Sequence, residues 1–161
     1  MLHRRLWICG WLMWAACAHA IEVGQRAPDV ALNDLPGVAK LSDLRGRFVY
    51  VDFWASWCGP CRLSFPWLAT LQARHKHEDL TVLAINLDKN RRDAERFLKF
   101  QPATFAVAYD PSGESARLFE LKTMPSSYLI GPDGQVLYTH RGFTAEDVTR
   151  LNQTIERLTL R

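Results

Sequence analysis

Apolar positions recur along this chain with two different periods. Between Arg47 and Ala55 the run FVYVDFW is β-branched or aromatic almost throughout and reads as a buried strand. Residues 80–87 (LTVLAINL) and 105–109 (FAVAY) are two more runs of this kind. Between them the period lengthens. Over residues 61–76, Leu63, Trp67, Leu68 and Leu71 fall at helical spacing. Residues 89–100 keep charges on one side, with Phe97, Leu98 and Phe100 near the end, and residues 113–121 read as a short helix. Residues 127–130 and 135–140 flank Gly131-Pro132-Asp133-Gly134, whose Pro-Asp-Gly reads as a hairpin turn. From Thr144 onward Val148, Leu151, Ile155 and Leu158 share one face of a closing helix. Residues 21–46, punctuated by Pro28, Pro36 and glycines, predict short strands and turns. This order of elements predicts an α/β fold, a mostly parallel sheet covered on both faces. Sites in such sheets lie at the carboxyl end of a central strand, where a helix begins. The stretch WASWCGPC, from Trp54 to Cys61, occupies that junction.

The chain has 161 residues, 48% hydrophobic and 23% charged, enough for one globular domain with a real core. Residues 1–20 stand apart from it. Arg4 and Arg5 form a basic start, residues 6–18 are almost purely apolar, and Ala18-His19-Ala20 fits a small-x-small cleavage site. This pattern predicts a signal peptide over 1–20, cleaved after Ala20, and a domain over 21–161 exported to the periplasm. The apolar run is shorter than the roughly 20 residues a spanning helix needs, so a retained anchor is the weaker reading. Lipidation at Cys17, after Ala15-Ala16, is a further alternative, with Trp14 where such signals carry Leu. Loss of the leader removes Arg4 and Arg5 and no acid, which takes the net charge from +3 to near +1. That balance makes no case for nucleic acid or an anionic surface.

Cleavage also removes Cys9 and Cys17, leaving Cys58 and Cys61 of the four cysteines. A disulfide that encloses only two residues removes little chain entropy and is a poor staple. A zinc site needs four ligands, and no second cysteine pair exists. His75 and His77 are two apart and would diverge on a helix, while His140 stands alone. Spacing and count therefore favour a redox dithiol, with no metal and no cofactor. At a helix start the unpaired N–H groups and partial positive charge favour a thiolate at Cys58, and Pro60 suits the first turn. Cys61, one turn in, is expected to be more buried and protonated. Cys58 would then attack a substrate disulfide and Cys61 would resolve the mixed disulfide. Pro66, inside the same helix, removes a ladder bond and predicts a kink.

The residues WASWCGPC, with Pro66 and the later Met124-Pro125, resemble the thioredoxin superfamily. GQRAPDVAL and LSDLRGR ahead of them, and the extra strand and helix over residues 89–119, narrow the resemblance to the exported TlpA/ResA-like thiol-disulfide oxidoreductases. It covers nearly all of the chain after the leader. The resemblance implies a thioredoxin-like fold: a central mixed sheet flanked by helices, an N-terminal extension and a strand-helix insertion before a cis Pro125. It implies Cys58 and Cys61 as the redox-active disulfide, shaped by Gly59, Pro60 and Pro66. It also implies a substrate strand pairing with the Met124 backbone beside Pro125, a β-augmentation that tolerates many side chains. The Asp52 of such proteins is buried behind the second cysteine with a raised pKa, and relays the proton of the resolving thiol. A solvated strand-edge carboxylate is the plainer reading of Asp52. The sequence departs from its relatives at Ala84, where thioredoxins place a lysine, and at Ser64, where many ResA-like proteins carry a glutamate. One of Trp54 and Trp57 is expected in the core. Trp57, next to the nucleophile, is expected to shield the thiol and contact partners.

The implied function is reduction of disulfides in exported proteins, such as the cysteines of apocytochrome c or of copper sites, by a monomer recharged by a membrane thiol-reductant transporter. An oxidant role remains open, although the Gly-Pro dipeptide argues for the reducing side. A peroxiredoxin-like peroxidase would carry Thr three residues before its cysteine, where Ala55 stands. A Sco-like copper-delivery protein would want CxxxC and a downstream histidine, for which His140 is the candidate.

Overall fold

A computed structural model describes residues 21–75 and 80–160. The leader expected over 1–20 lies outside the described residues, as does His77. The run FVYVDFW forms β1 (Phe48–Trp54), followed by α1 (Gly59–Arg74), β2 (Leu80–Asn86), α2 (Arg91–Phe100), β3 (Ala106–Tyr109) and α3 (Glu114–Leu118). A hairpin of β4 (Ser126–Ile130) and β5 (Val136–Arg141) leads to the closing helix α4 (Asp147–Thr159). The strands make one sheet in the order β3-β2-β1-β4-β5. β1 runs parallel to β2 and antiparallel to β4, so the strand that carries the site is the central one and the sheet is mixed.

Alternation along β1 divides the core in two. Tyr50 and Trp54 face a cluster built with Phe65, Leu68 and Leu71 of α1, Ala94 and Phe97 of α2, and Leu151 and Ile155 of α4. Val49, Val51 and Phe53 face the other way, against Val30, Leu32, Leu41 and Leu44 of the N-terminal extension and Phe119 after α3. Helices α1, α2 and α4 thus cover one face, and on the other the short α3, through Leu118, shares the covering with the extension. The extension does not form the expected short strands. It makes only isolated bridges, Arg26 to Gln135 and Ala31 to Lys40, and a 3₁₀ turn over Leu41–Leu44. The prolines lack ladder donors, and Asp34, Gly24, Gly37 and Gly46 take left-handed turns, so no run is long enough to pair.

Helix α1 is continuous through Pro66 from Gly59 to Arg74. Its buried stripe is Cys61, Ser64, Phe65, Trp67, Leu68 and Leu71. Leu63, expected in that stripe, is 59% exposed instead. Phe65 takes the central place, stacked edge-on against Trp54 with ring centroids 4.6 Å apart and also against Phe97.

Candidate active site

The peptide leaves β1 at Trp54 and turns through Ala55-Ser56-Trp57 into α1. The turn is held by polar contacts that the linear pattern did not single out. The backbone N–H and hydroxyl of Ser56 both donate to the Asp88 carboxylate at 2.9 Å, and the Asn86 amide donates to it at 2.8 Å. The Leu87 N–H donates to the Trp54 carbonyl. Asn86 and Asp88 are buried at the end of β2, so the loop is fixed from the neighbouring strand. Their signal in the sequence is two polar residues closing an otherwise apolar run.

Cys58 is the N-cap residue of α1. Its backbone is extended, and its sulfur accepts from the Cys61 N–H at 3.3 Å. Gly59 and Pro60 fill the first turn, where a missing N–H costs nothing. Cys58 and Cys61 are joined in a disulfide. Both residues are largely covered, Cys58 at 4% exposure and Cys61 at 0%. The asymmetry between them lies in what each meets. Cys58 lines an open cleft with Trp57, Pro60, Leu87, Leu121 and Met124, and Cys61 does not. Trp57 is 69% exposed at the rim, whereas Trp54 is sealed in the core. The Met124–Pro125 peptide is cis, just before β4, and Met124 lies on the wall of the cleft. Among the described residues the Met124 backbone has no hydrogen-bond partner.

Asp52 sits at the middle of β1 on the α1 face and is 1% exposed, so it is not a solvated edge residue. One oxygen, Oδ1, accepts from the Ser127 hydroxyl at 2.7 Å; the other, Oδ2, is buried without a partner. Burial lifts its pKa to about 7, against the opposing effect of the Ser127 hydrogen bond. Ala84 stands opposite it on β2 and offers no cation. Ser64 turns its hydroxyl to the Cys61 carbonyl at 3.0 Å.

A row of polar side chains continues from Asp52 across the sheet, and this row was not anticipated. Ser127 on β4 is paired with Asp52 on one side and with His140 on β5 on the other. His140 is held low by burial, opposed by Asp147, whose carboxylate lies 3.7 Å from Nε2. The Tyr50 hydroxyl is buried without a hydrogen-bond partner, and burial and then the nearby Asp52 charge push it well above its ordinary range. His140 does not line the Cys58 cleft, and so does not stand where a copper-delivery protein would need its histidine.

Residues 22–155 match the family description Redoxin. The thiol-disulfide oxidoreductase ResA of Geobacillus kaustophilus is 32% identical over 139 residues, 85% of this chain and 80% of that protein. The ResA of Oceanobacillus iheyensis is 33% identical over 120 residues, 71% of this chain, and the match spans 62% of that relative's length. Among solved structures, a Chlorobium tepidum protein provisionally described as thiol:disulfide interchange protein DsbE aligns with a TM-score of 0.82 at 49% identity. That alignment covers 86% of this chain and 98% of that one. No described helix is long and apolar enough to cross a membrane.

Proposed function

The chain belongs to the Redoxin family and is a thiol-disulfide oxidoreductase, and from that premise we propose that it is an exported reductant of protein disulfides. The observation that carries the reading is the unequal setting of the two sulfurs, one on an open cleft at a helix start and one sealed behind it. In the reduced protein the Cys58 thiolate attacks one sulfur of a substrate disulfide. A Cys58–substrate disulfide forms and the other substrate sulfur leaves as thiolate. Asp52 takes the proton of Cys61. The Cys61 thiolate then attacks Cys58 Sγ, closing the Cys58–Cys61 disulfide and releasing the second substrate thiolate. Two electrons pass from the dithiol to the substrate, and the oxidised protein is the form in the structure.

Trp57 and Met124 border the cleft, and the unpaired Met124 backbone beside Pro125 is suited to an extended substrate strand. Gly59, Pro60 and Pro66 shape the helix that presents the pair. The leader directs the domain to the periplasm and is removed after Ala20. The clients are cysteine pairs of exported apocytochromes c or copper sites, and a membrane thiol-reductant transporter restores the dithiol to the monomer. The test is a Cys61→Ser variant produced in periplasm. It is expected to accumulate as mixed disulfides through Cys58 that thiol reductants release. Complexes that persist when Cys58 is also replaced would overturn the assignment.

A further inference from the structure

An aspartate that receives a proton during each turnover needs an oxygen free to take it, and a partner on the other oxygen fixes which one that is. The structure shows this division at Asp52. Oδ1 is occupied by the Ser127 hydroxyl at 2.7 Å, and Oδ2 is buried with no partner. The hydroxyl reaches Asp52 because the two residues are directly opposed across the antiparallel β1–β4 pair, where Cβ atoms stand about 5 Å apart on the same face. That face is the one packed beneath α1, where Cys61 lies, since Tyr50 and Trp54 on either side of Asp52 join Cys61 in one cluster. We propose that Ser127 is a positioning residue for the resolving step, holding Oδ1 so that Oδ2 is the atom that takes the Cys61 proton and setting the pH at which it can do so.

This inference rests on the reading of Asp52 as proton acceptor and gives that reading its second residue. The step is Cys61–SH plus Asp52–COO⁻ giving Cys61–S⁻ plus Asp52–COOH, with Ser127 donating to Oδ1 before and after. Serine suits the place because its neutral hydroxyl supports the carboxylate without adding charge. A lysine there would keep Asp52 ionised and too weak a base. Among the described residues few other polar groups face this site. From β1 comes Tyr50, whose hydroxyl also faces Ser127, and β2 adds no polar group, Ala84 standing opposite Asp52. From β5 come Tyr138 and His140, whose rings stack, and from α4 Asp147 with Arg150 on its outer oxygen. Ser127 alone among them hydrogen-bonds the carboxylate.

Stoichiometric 5,5′-dithiobis(2-nitrobenzoate) tests it, because the reduced protein releases one chromophore on attack by Cys58 and a second on resolution by Cys61. The second phase is followed from pH 5 to 9. In Ser127→Ala its midpoint should rise by about one pH unit, as expected when a hydrogen bond to a charged acceptor is lost, with the high-pH plateau kept. Near pH 7 that slows resolution about fivefold. Ser127→Thr, which keeps the hydroxyl, should restore the profile, and Ser127→Ala should change nothing in an Asp52→Asn background. A Ser127→Ala midpoint that stays in place, or an equal slowing in both backgrounds, would overturn the proposal. An Asp52→Asn profile that keeps the native midpoint would instead overturn the reading of Asp52 itself.

Discussion

Replacing Asp52 with Asn should remove a pH-dependent cost from the fold. Asp52 is enclosed, has one unsatisfied oxygen and, among the described residues, no cation beside it, and burial raises its pKa to about 7 in the folded chain. In the unfolded chain an aspartate titrates near 3.9. Between those values the folded protein binds a proton that the unfolded chain has released, so stability falls as pH rises through this window. It levels off above the folded value. About three pH units at roughly 1.4 kcal/mol each give a cost of order 4 kcal/mol at pH 8 and above, and none at pH 3. Asparagine keeps the shape and carries no such cost. His140 contributes with the opposite sign: its lowered pKa costs stability below its unfolded value, and that cost shrinks as pH rises. This contribution is common to both proteins and cancels in their difference. Thermal melts of the oxidised proteins from pH 4 to 9 provide the assay. The Asn variant should gain on the native protein steadily between pH 4 and 7, by roughly 10 °C in all for a domain of this size. A constant offset between the two curves across that range would refute the reasoning, because it would mean Asp52 does not titrate near 7 inside the fold.

Iodoacetamide at mildly acidic pH should label Cys58 of the reduced protein well before Cys61, since only Cys58 is on the cleft at the helix start; the reverse order in a peptide digest would exchange their roles. Trp57→Ala should raise KM for a protein disulfide while leaving the first nitrobenzoate phase and the melting temperature nearly unchanged, as suits a side chain 69% exposed at the rim. Asp88→Ala should cost about 2–3 kcal/mol in urea denaturation, because Ser56 and Asn86 lose a buried carboxylate acceptor. A neutral result would mean that the WASWC turn holds itself.

Strong local patterns made most of the fold legible. The apolar runs of β1 and β2 and the spaced leucines of α4 state their own period, and the Pro-Asp-Gly turn states its own reversal. Leu63 and Phe65 show where a local pattern misleads. The stripe of α1 includes Cys61 and Ser64, neither of which looks apolar in a periodicity count, so the true phase of the helix passes through Phe65 and leaves Leu63 in solvent. The extension misled for a different reason: it holds itself by single bridges and turns, such as Ala31 to Lys40, and docks by a few more on the β4–β5 hairpin far along the chain. The site was legible where chemistry is written in consecutive residues, as at Cys58-Gly59-Pro60-Cys61. The Asp52–Ser127–His140 row was not. It exists only in the register of three strands, two of them more than seventy residues from the first, and nothing local marks Ser127 as different from Ser126.

The claim that this dithiol gives electrons to its clients is tested most directly by its reduction potential. Equilibration with glutathione buffers, read by the fraction of protein carrying free Cys58 and Cys61, measures it in one titration. A value well below about −180 mV and toward the thioredoxin figure of about −270 mV is expected of a reductant. A value near −120 mV, as in DsbA, would make the protein an oxidant and contradict the account.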